Sequence, residues 1–206
     1  MEPVPFIGVV RHRIGVDGEG VTTLAAFHGC PLRCRYCLNS ACFGPSEKLP
    51  RYTPESLFEK VRIDNLYFLA TNGGVCFGGG EPLLYPDFIK SFRGLCGNAW
   101  KLTIESSLNV PPKSLDTVLD VVDDFIVDVK DLNPAIYKEY TGCGNDNVVA
   151  NLQRLIEQKG PEHVIVRVPL IADYNTEEDR KATVDKLRGW GVVRINKFEY
   201  IVPSKK

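Results

Sequence analysis

The 206-residue sequence lacks an excess of either charge: 25 Lys and Arg stand against 26 Asp and Glu, a formal net charge of -1. That balance gives no basic footprint for nucleic acid and no pull toward an anionic membrane surface. Long apolar runs are lacking too, so no segment reaches bilayer-spanning length, and Met1 to Gly8 lacks the basic-then-apolar order of a secretory signal. There is no internal repeat and no low-complexity tract. His12, His28 and His163 show no paired spacing of the metal-binding kind and read as ordinary hydrogen-bonding histidines. Seven cysteines make an odd number, which suits a reducing compartment better than a disulfide framework. The expected location is the cytoplasm.

What the sequence does have is Cys30, Cys34 and Cys37 in the stretch His28-Gly29-Cys30-Pro31-Leu32-Arg33-Cys34-Arg35-Tyr36-Cys37-Leu38-Asn39. Thiols this dense are not explained by burial of cysteine as a small hydrophobe. A cubane 4Fe-4S cluster has four irons, so three protein thiolates leave one iron open to a ligand that is not protein. A structural zinc site uses the same thiols differently and wants a fourth ligand, which Cys42 or His28 could supply. Both readings stand at this point. Cys76, Cys96 and Cys143 occur singly and read as core or incidental.

Strand and helix signals alternate along the chain. Val21 to Phe27, Val75 to Phe77, Lys101 to Glu105, Asp124 to Val129, His163 to Val168 and Arg194 to Ile201 read as six strands. Thr53-Pro54-Glu55 opens a helix with Leu57, Phe58, Val61 and Leu66 at helical spacing; further helices are expected at 86–96, 114–122, after Asn133-Pro134, at 148–158 and from Thr176 to about Leu187. This order predicts a single α/β domain with parallel strands and right-handed crossovers.

In such folds ligands bind at the carboxyl ends of the strands. Cys30 to Cys37 follow the first strand, Gly78-Gly79-Gly80-Glu81-Pro82 the second, and Glu105-Ser106-Ser107 ends the third. Asp128 and Lys130 end the fourth strand and Arg167 the fifth, so the unusual residues gather at one edge. Read singly, the glycines are a turn, Lys130 a solvated surface lysine and Arg167 a strand-end ion-pair partner. Asp128 is different, because an acid in an apolar strand is costly unless paired or bound.

Cys30-x3-Cys34-x2-Cys37 with aromatic Tyr36 before the third cysteine, followed by Gly79-Gly80-Glu81-Pro82 after the next strand, resembles the radical S-adenosylmethionine (SAM) superfamily. Within it, Ile14 to Gly20, Asp128-Val129-Lys130, Lys138 to Gly142 and Arg167 to Ile171 followed by Asn175 are similar to the activating enzymes of glycyl radical enzymes, of the pyruvate formate-lyase activating enzyme kind. The resemblance implies a partial (β/α)6 TIM-like barrel over residues 1–206, with a cluster loop at 28–40 and a 4Fe-4S cluster on Cys30, Cys34 and Cys37. It implies that SAM chelates the open iron, with Gly79, Gly80 and Glu81 along its methionine amino group, Tyr36 near the adenine, and Asn39, Ser106, Asp128, Lys130 and Arg167 at the rest. No catalytic residue is implied beyond cluster and SAM.

By the same resemblance, the reaction is reductive cleavage of SAM and abstraction of hydrogen from a glycine of a partner glycyl radical enzyme. A flavodoxin or ferredoxin would donate the electron, and the enzyme would act as a monomer. A small-molecule or peptide-modifying radical SAM enzyme, such as a deazaguanine synthase or peptide maturase, shares the cluster and glycine motifs; a zinc-stabilised binding module is the non-enzymatic alternative. Leu38 stands where many activating enzymes carry histidine, Glu19 where they carry proline, and Glu105 to Leu108 replace an Asp-Thr-Asn-Gly type sequence, which puts the family's monovalent cation site in question. The sequence ends at Tyr200-Ile201-Val202-Pro203-Ser204-Lys205-Lys206, where the family runs on through a histidine-containing segment and a final helix. This leaves two expectations, an open barrel mouth suited to a macromolecular substrate or a shortened chain.

Overall fold

The computed structural model describes residues 1–200; Ile201, the expected end of the sixth strand, lies outside them with the rest of the tail. The chain divides into two compact units. The first comprises Met1–Cys30, Asn39–Ser106 and Val110–Ile126. It holds strands β1 (Val4–Ile14), β2 (Val21–Phe27), β3 (Arg51–Tyr52), β4 (Gly74–Gly79) and β5 (Lys101–Ser106), with helices α1 (Pro54–Val61), α2 (Asn65–Thr71), α3 (Pro86–Cys96) and α4 (Pro112–Asp116). Its strand order is β3-β1-β2-β4-β5, parallel from β2 to β5 as expected. Strand β6 (Asp124–Asp128) begins in this unit and ends in the other.

Two strands are additions to the expected six. β1 runs antiparallel to β2 and to the short β3. Its sequence hid it, because Pro5, Gly8 and the run Arg11-His12-Arg13 break the alternation of a half-buried strand. The pairing with β2 accordingly shifts between Phe6 and Gly8 and between Val10 and Arg13, and His12 takes a left-handed φ of 59°. Bulges of this kind let a strand carry residues that do not fit a regular pleat.

The helix expected from Pro54 through Leu66 is broken. Thr53 caps α1 by accepting from Ser56 N, but a 3-10 turn over Arg62–Asp64 separates α1 from α2 and leaves Leu66 78% exposed instead of in the core. The helix expected at 114–122 is also shorter, starting at Pro112 and ending at Asp116 before a run of turns. Phe6, Phe27, Phe77, Phe88 and Phe92 fill the core, with the Phe6 and Phe27 rings 4.3 Å apart. Each such ring contributes about 2–3 kcal/mol by leaving water. Arg93 closes the end of α3, donating to the carbonyls of Val121, Gly97 and Trp100 and pairing with Asp123.

The turn at Asp64 places a fully buried carboxylate under β1. It accepts from Arg11 Nε at 2.7 Å and from Arg11 Nη2, meets His12 Nε2 at 2.9 Å, and accepts from Thr23 Oγ1 at 3.2 Å. The Arg11 hydrogen bonds hold its pKa below the usual value, against the opposing effect of burial. A carboxylate depressed in the folded state adds stability above its unfolded pKa, near 4, and loses it as pH falls through the folded value. Asp64→Asn is therefore expected to be less stable than wild type at pH 7, with the gap narrowing below about pH 4. Urea unfolding across this range tests it, and a pH-independent gap would count against the assignment.

The second unit comprises Pro31–Leu38, Ser107–Asn109 and the chain from Val127. Its elements are the end of β6, α5 (Pro134–Thr141), α6 (Asp146–Lys159), β7 (Val164–Leu170), α7 (Glu177–Gly189) and β8 (Arg194–Glu199), with β7 and β8 parallel. Asn133 caps α5 through its side-chain oxygen, and Thr176 caps α7 in a capping box with Asp179. Buried Asp131 ties these starts together, accepting from Asn133 N at 2.8 Å, Asn175 Nδ2 at 3.0 Å and Thr183 Oγ1 at 3.2 Å. Among the described residues no helix is long and apolar enough to cross a membrane.

Candidate functional site

In the first unit the parallel pairing of β2 with β4 continues past both strand ends. Phe27 pairs with Gly79, Gly80 N donates to Phe27 O at 2.9 Å, and Glu81 N donates to Gly29 O at 2.7 Å. Glycine is required here by space: a Cβ on Gly79 would lie 2.6 Å from Ala26 Cβ, and one on Gly80 would lie 2.0 Å from Gly29 O. Gly79 also has φ of 89°, a left-handed value that side chains rarely adopt. Cys30, half-buried, follows directly on this junction.

Asn39 donates from Nδ2 to Gly79 O at 2.9 Å, and Ser106 Oγ donates to Glu81 Oε1 at 2.7 Å. Glu81 is fully buried and also accepts from Leu83 N, so one of its oxygens caps the turn over Pro82–Leu84. The structure thus brings Asn39, Gly79, Gly80, Glu81 and Ser106 together at the end of β4. Cys42 is buried and its carbonyl accepts from Gly29 N, while His28 Nε2 lies 2.8 Å from Gly44 O. A carbonyl only accepts, so that ring nitrogen carries its hydrogen and has no lone pair for a metal. Cys76 and Cys96 are core.

In the second unit Cys34, Tyr36 and Cys37 sit on a tight turn, with Cys37 N donating to Cys34 O at 3.3 Å. Backbone bonds hold this turn to the end of α5, since Arg33 N donates to Thr141 O at 2.8 Å and Arg35 N to Tyr140 O at 3.1 Å. Tyr36 donates from its hydroxyl to Asp173 Oδ2 at 3.1 Å, and its ring meets Tyr174 edge-on at 5.7 Å. Cys143 Sγ lies 3.4 Å from Pro31 O.

Lys130 corrects the reading of a solvated lysine: it is 7% exposed and takes a left-handed φ of 65°. Its Nζ donates to Asp128 Oδ2 at 3.1 Å and to Tyr200 Oη at 2.9 Å. Burial alone would favour the neutral amine, but Asp128, Tyr200 and Cys34 more than compensate and hold its pKa well above the ordinary value. Burial pushes the Cys34 thiol up, and the Lys130 ammonium pulls it back toward thiolate. Tyr200 and Tyr140 are likewise pushed up by burial. Arg167 is half-buried on β7, and its carbonyl accepts from Val129 N at 3.2 Å. Tyr200 and Asp173 belong to this environment but carried no motif signal in the sequence, whereas Tyr140 lies in the Lys138 to Gly142 stretch of the resemblance.

Two observations fit a cluster and its ligand. Cys30, Cys34 and Cys37 are all partly exposed thiols outside any disulfide, the donor type that iron-sulfur clusters use. Asp128 Oδ1 is buried with no hydrogen-bond partner among the described residues, an acceptor that a bound ligand would satisfy. Among the described residues no group of three or more His, Cys, Asp or Glu side chains is already gathered to hold a metal ion. It is the chemistry of the donors that fits.

A family model described as the radical SAM superfamily matches residues 25–187. The (2S)-3-sulfopropanediol dehydratase activating enzyme of Klebsiella oxytoca is 35% identical over 149 residues, which cover 70% of this chain and 46% of that protein. The indoleacetate decarboxylase activating enzyme of Tractidigestivibacter scatoligenes is 30% identical over 170 residues, covering 79% and 53%. The pyruvate formate-lyase-activating enzyme of Clostridium pasteurianum is 29% identical over 196 residues, covering 89% and 81%. The chain thus spans about half the length of the first two of these relatives. Among solved structures, Streptococcus suis SuiB bound to S-adenosylmethionine is similar with a TM-score of 0.65 at 16% identity, over 85% of this chain and 39% of that one. The anSMEcpe protein with bound AdoMet gives 0.59 at 16%, over 85% and 48%. The likeness to these structures is one of fold, and it bears out the α/β class with parallel strands of the partial TIM-like barrel kind. The family match covers most of the chain, from the end of β2 through α7, and the chain belongs to the radical SAM superfamily, whose cofactors are a 4Fe-4S cluster and S-adenosylmethionine.

Proposed function

We propose that this chain is the radical-generating part of an activating enzyme, one that takes a hydrogen atom from a backbone glycine of a partner glycyl radical enzyme. The observation that carries the reading is that the curated relatives named above are all activating enzymes, aligned over at least 70% of this chain. In this reading Cys30, Cys34 and Cys37 hold the 4Fe-4S cluster. Bound together, cluster and SAM supply low-potential reduction of a sulfonium and a carbon-centred hydrogen abstractor.

The protein's part is to bind and orient. Gly79 and Gly80 offer backbone without side chains in the way, with Glu81 beside them, for an amino acid moiety. Tyr36 offers a ring for the adenine, clamped by Asp173 and Tyr174. Asp128 offers its unpaired Oδ1 as an acceptor, Lys130 a buried positive charge, and Asn39, Ser106 and Arg167 the remaining contacts. Residues 1–206 act as one radical SAM domain, a reading supported by a family match that runs through both units. A flavodoxin or ferredoxin supplies the electron, and the enzyme works as a cytoplasmic monomer; the near-neutral charge supports a role without nucleic acid or membrane.

Reduced, iron-reconstituted protein with SAM and a candidate glycyl radical enzyme is expected to give a glycine-centred doublet by electron paramagnetic resonance. SAM cleavage without a doublet for any candidate would favour a small-molecule or peptide substrate. Colourless protein with stoichiometric zinc and no SAM cleavage would overturn the radical assignment itself.

A further inference from the structure

We propose that Tyr200 is a positioning residue for Lys130, holding the ammonium so that Asp128 keeps one oxygen available to the ligand. This rests on the reading of Asp128 and Lys130 as SAM contacts.

An ammonium has three N–H donors. Asp128 Oδ2 takes one at 3.1 Å and Tyr200 Oη a second at 2.9 Å. The Lys130 ammonium lies 5.6 Å from the centre of the Tyr200 ring, beyond the hydroxyl, so the contact is to the hydroxyl oxygen. Without Tyr200, a lysine two residues from an aspartate, on a flexible four-carbon stem, is free to swing across both carboxylate oxygens. With Tyr200 in place the contact is one-sided: Oδ2 is bonded, and Oδ1 is buried without a partner among the described residues. A third N–H and Oδ1 then form an adjacent donor and acceptor, suited to a ligand that presents both, such as a pair of hydroxyls.

Tyr200 is itself fixed. Its backbone N donates to Leu170 O at 3.1 Å at the end of β7, and its ring is walled by Phe198 at 5.3 Å and Tyr140 at 6.1 Å. Lys130 is set from its own side by its left-handed backbone, while Val129 N bonds Arg167 O. Two segments 70 residues apart thus converge on one ammonium.

The test uses the iron-reconstituted full chain and Tyr200→Phe, which keeps the ring and removes the hydroxyl, with Tyr200→Leu removing both. Two readouts are followed: SAM affinity by equilibrium binding, and acylation of Lys130 by a soluble amine reagent, quantified by peptide mass spectrometry. Loss of a charge-assisted hydrogen bond is expected to weaken SAM binding about tenfold in Tyr200→Phe and to raise Lys130 labelling severalfold, with KM affected more than kcat. Tyr200→Leu is expected to exceed both effects. Wild-type affinity and labelling in Tyr200→Phe would overturn the proposal. If the wild-type protein binds no SAM, the functional reading fails, and the labelling arm still decides whether Tyr200 holds Lys130.

Discussion

Gly80→Ala is expected to lower stability by about 3–5 kcal/mol and to prevent iron loading. The added Cβ would sit 2.0 Å from Gly29 O, 2.9 Å from Gly29 C and 3.0 Å from Phe27 O. All three are backbone atoms, so no side chain can rotate away, and the end of β4 must separate from the end of β2. Separation breaks the bonds from Gly80 N to Phe27 O and from Glu81 N to Gly29 O. It also disturbs Glu81, a fully buried carboxylate whose bonds to Ser106 and Leu83 N depend on that register. Cys30 is the residue next to Gly29, so the cost reaches the cluster loop directly.

Gly94→Ala in α3 is the matched control. A Cβ there meets nothing within 4 Å, and replacing glycine inside a helix is expected to add about 0.5–1 kcal/mol. Urea unfolding of both variants, with iron analysis after reconstitution, separates the two outcomes. A Gly80→Ala protein that unfolds at the wild-type midpoint and takes up full iron would contradict the close approach.

This junction also shows what a sequence can disclose. Cys30, Cys34 and Cys37 lie close together in sequence, and Gly79, Gly80 and Glu81 are consecutive, so their chemistry is visible as spacing. Strand β2 and strands β4 to β8 are legible for a related reason, since each lies between strong punctuation such as Thr53-Pro54, Asn133-Pro134 and Thr176. β1 is not, because its bulges at His12 serve tertiary bonds to Asp64, more than 50 residues away. The same holds for Tyr36 with Asp173, separated by 137 residues, and for Lys130 with Tyr200. Contacts made by the fold alone leave no local pattern. Taken singly, Lys130 reads as a surface lysine, and only the Asp128-Val129-Lys130 resemblance points to a ligand contact, while its bond to Tyr200 is seen in the structure alone.

Cys34→Ala is expected to lose the cluster and to reduce SAM cleavage by at least about 10³-fold, while leaving the fold intact. The two effects separate because the thiol and the turn that carries it depend on different bonds. The turn is held by main-chain donors: Arg33 N to Thr141 O, Arg35 N to Tyr140 O and Cys37 N to Cys34 O. None needs the Cys34 side chain, so alanine is accommodated, and removing a half-buried sulfur costs at most about 1–2 kcal/mol of stability. A cubane deprived of one of three thiolates has no equivalent donor to take its place. Cys143, whose Sγ reaches Pro31 O at 3.4 Å, is the nearby thiol to exclude, and Cys143→Ala is expected to retain iron and SAM cleavage. Iron and sulfide content, SAM cleavage and thermal melting measured together distinguish the cases. Unchanged cleavage in Cys34→Ala would refute its role as a ligand; lost iron in Cys143→Ala would place a fourth thiol in the centre and reopen the zinc reading that the three-cysteine spacing first allowed.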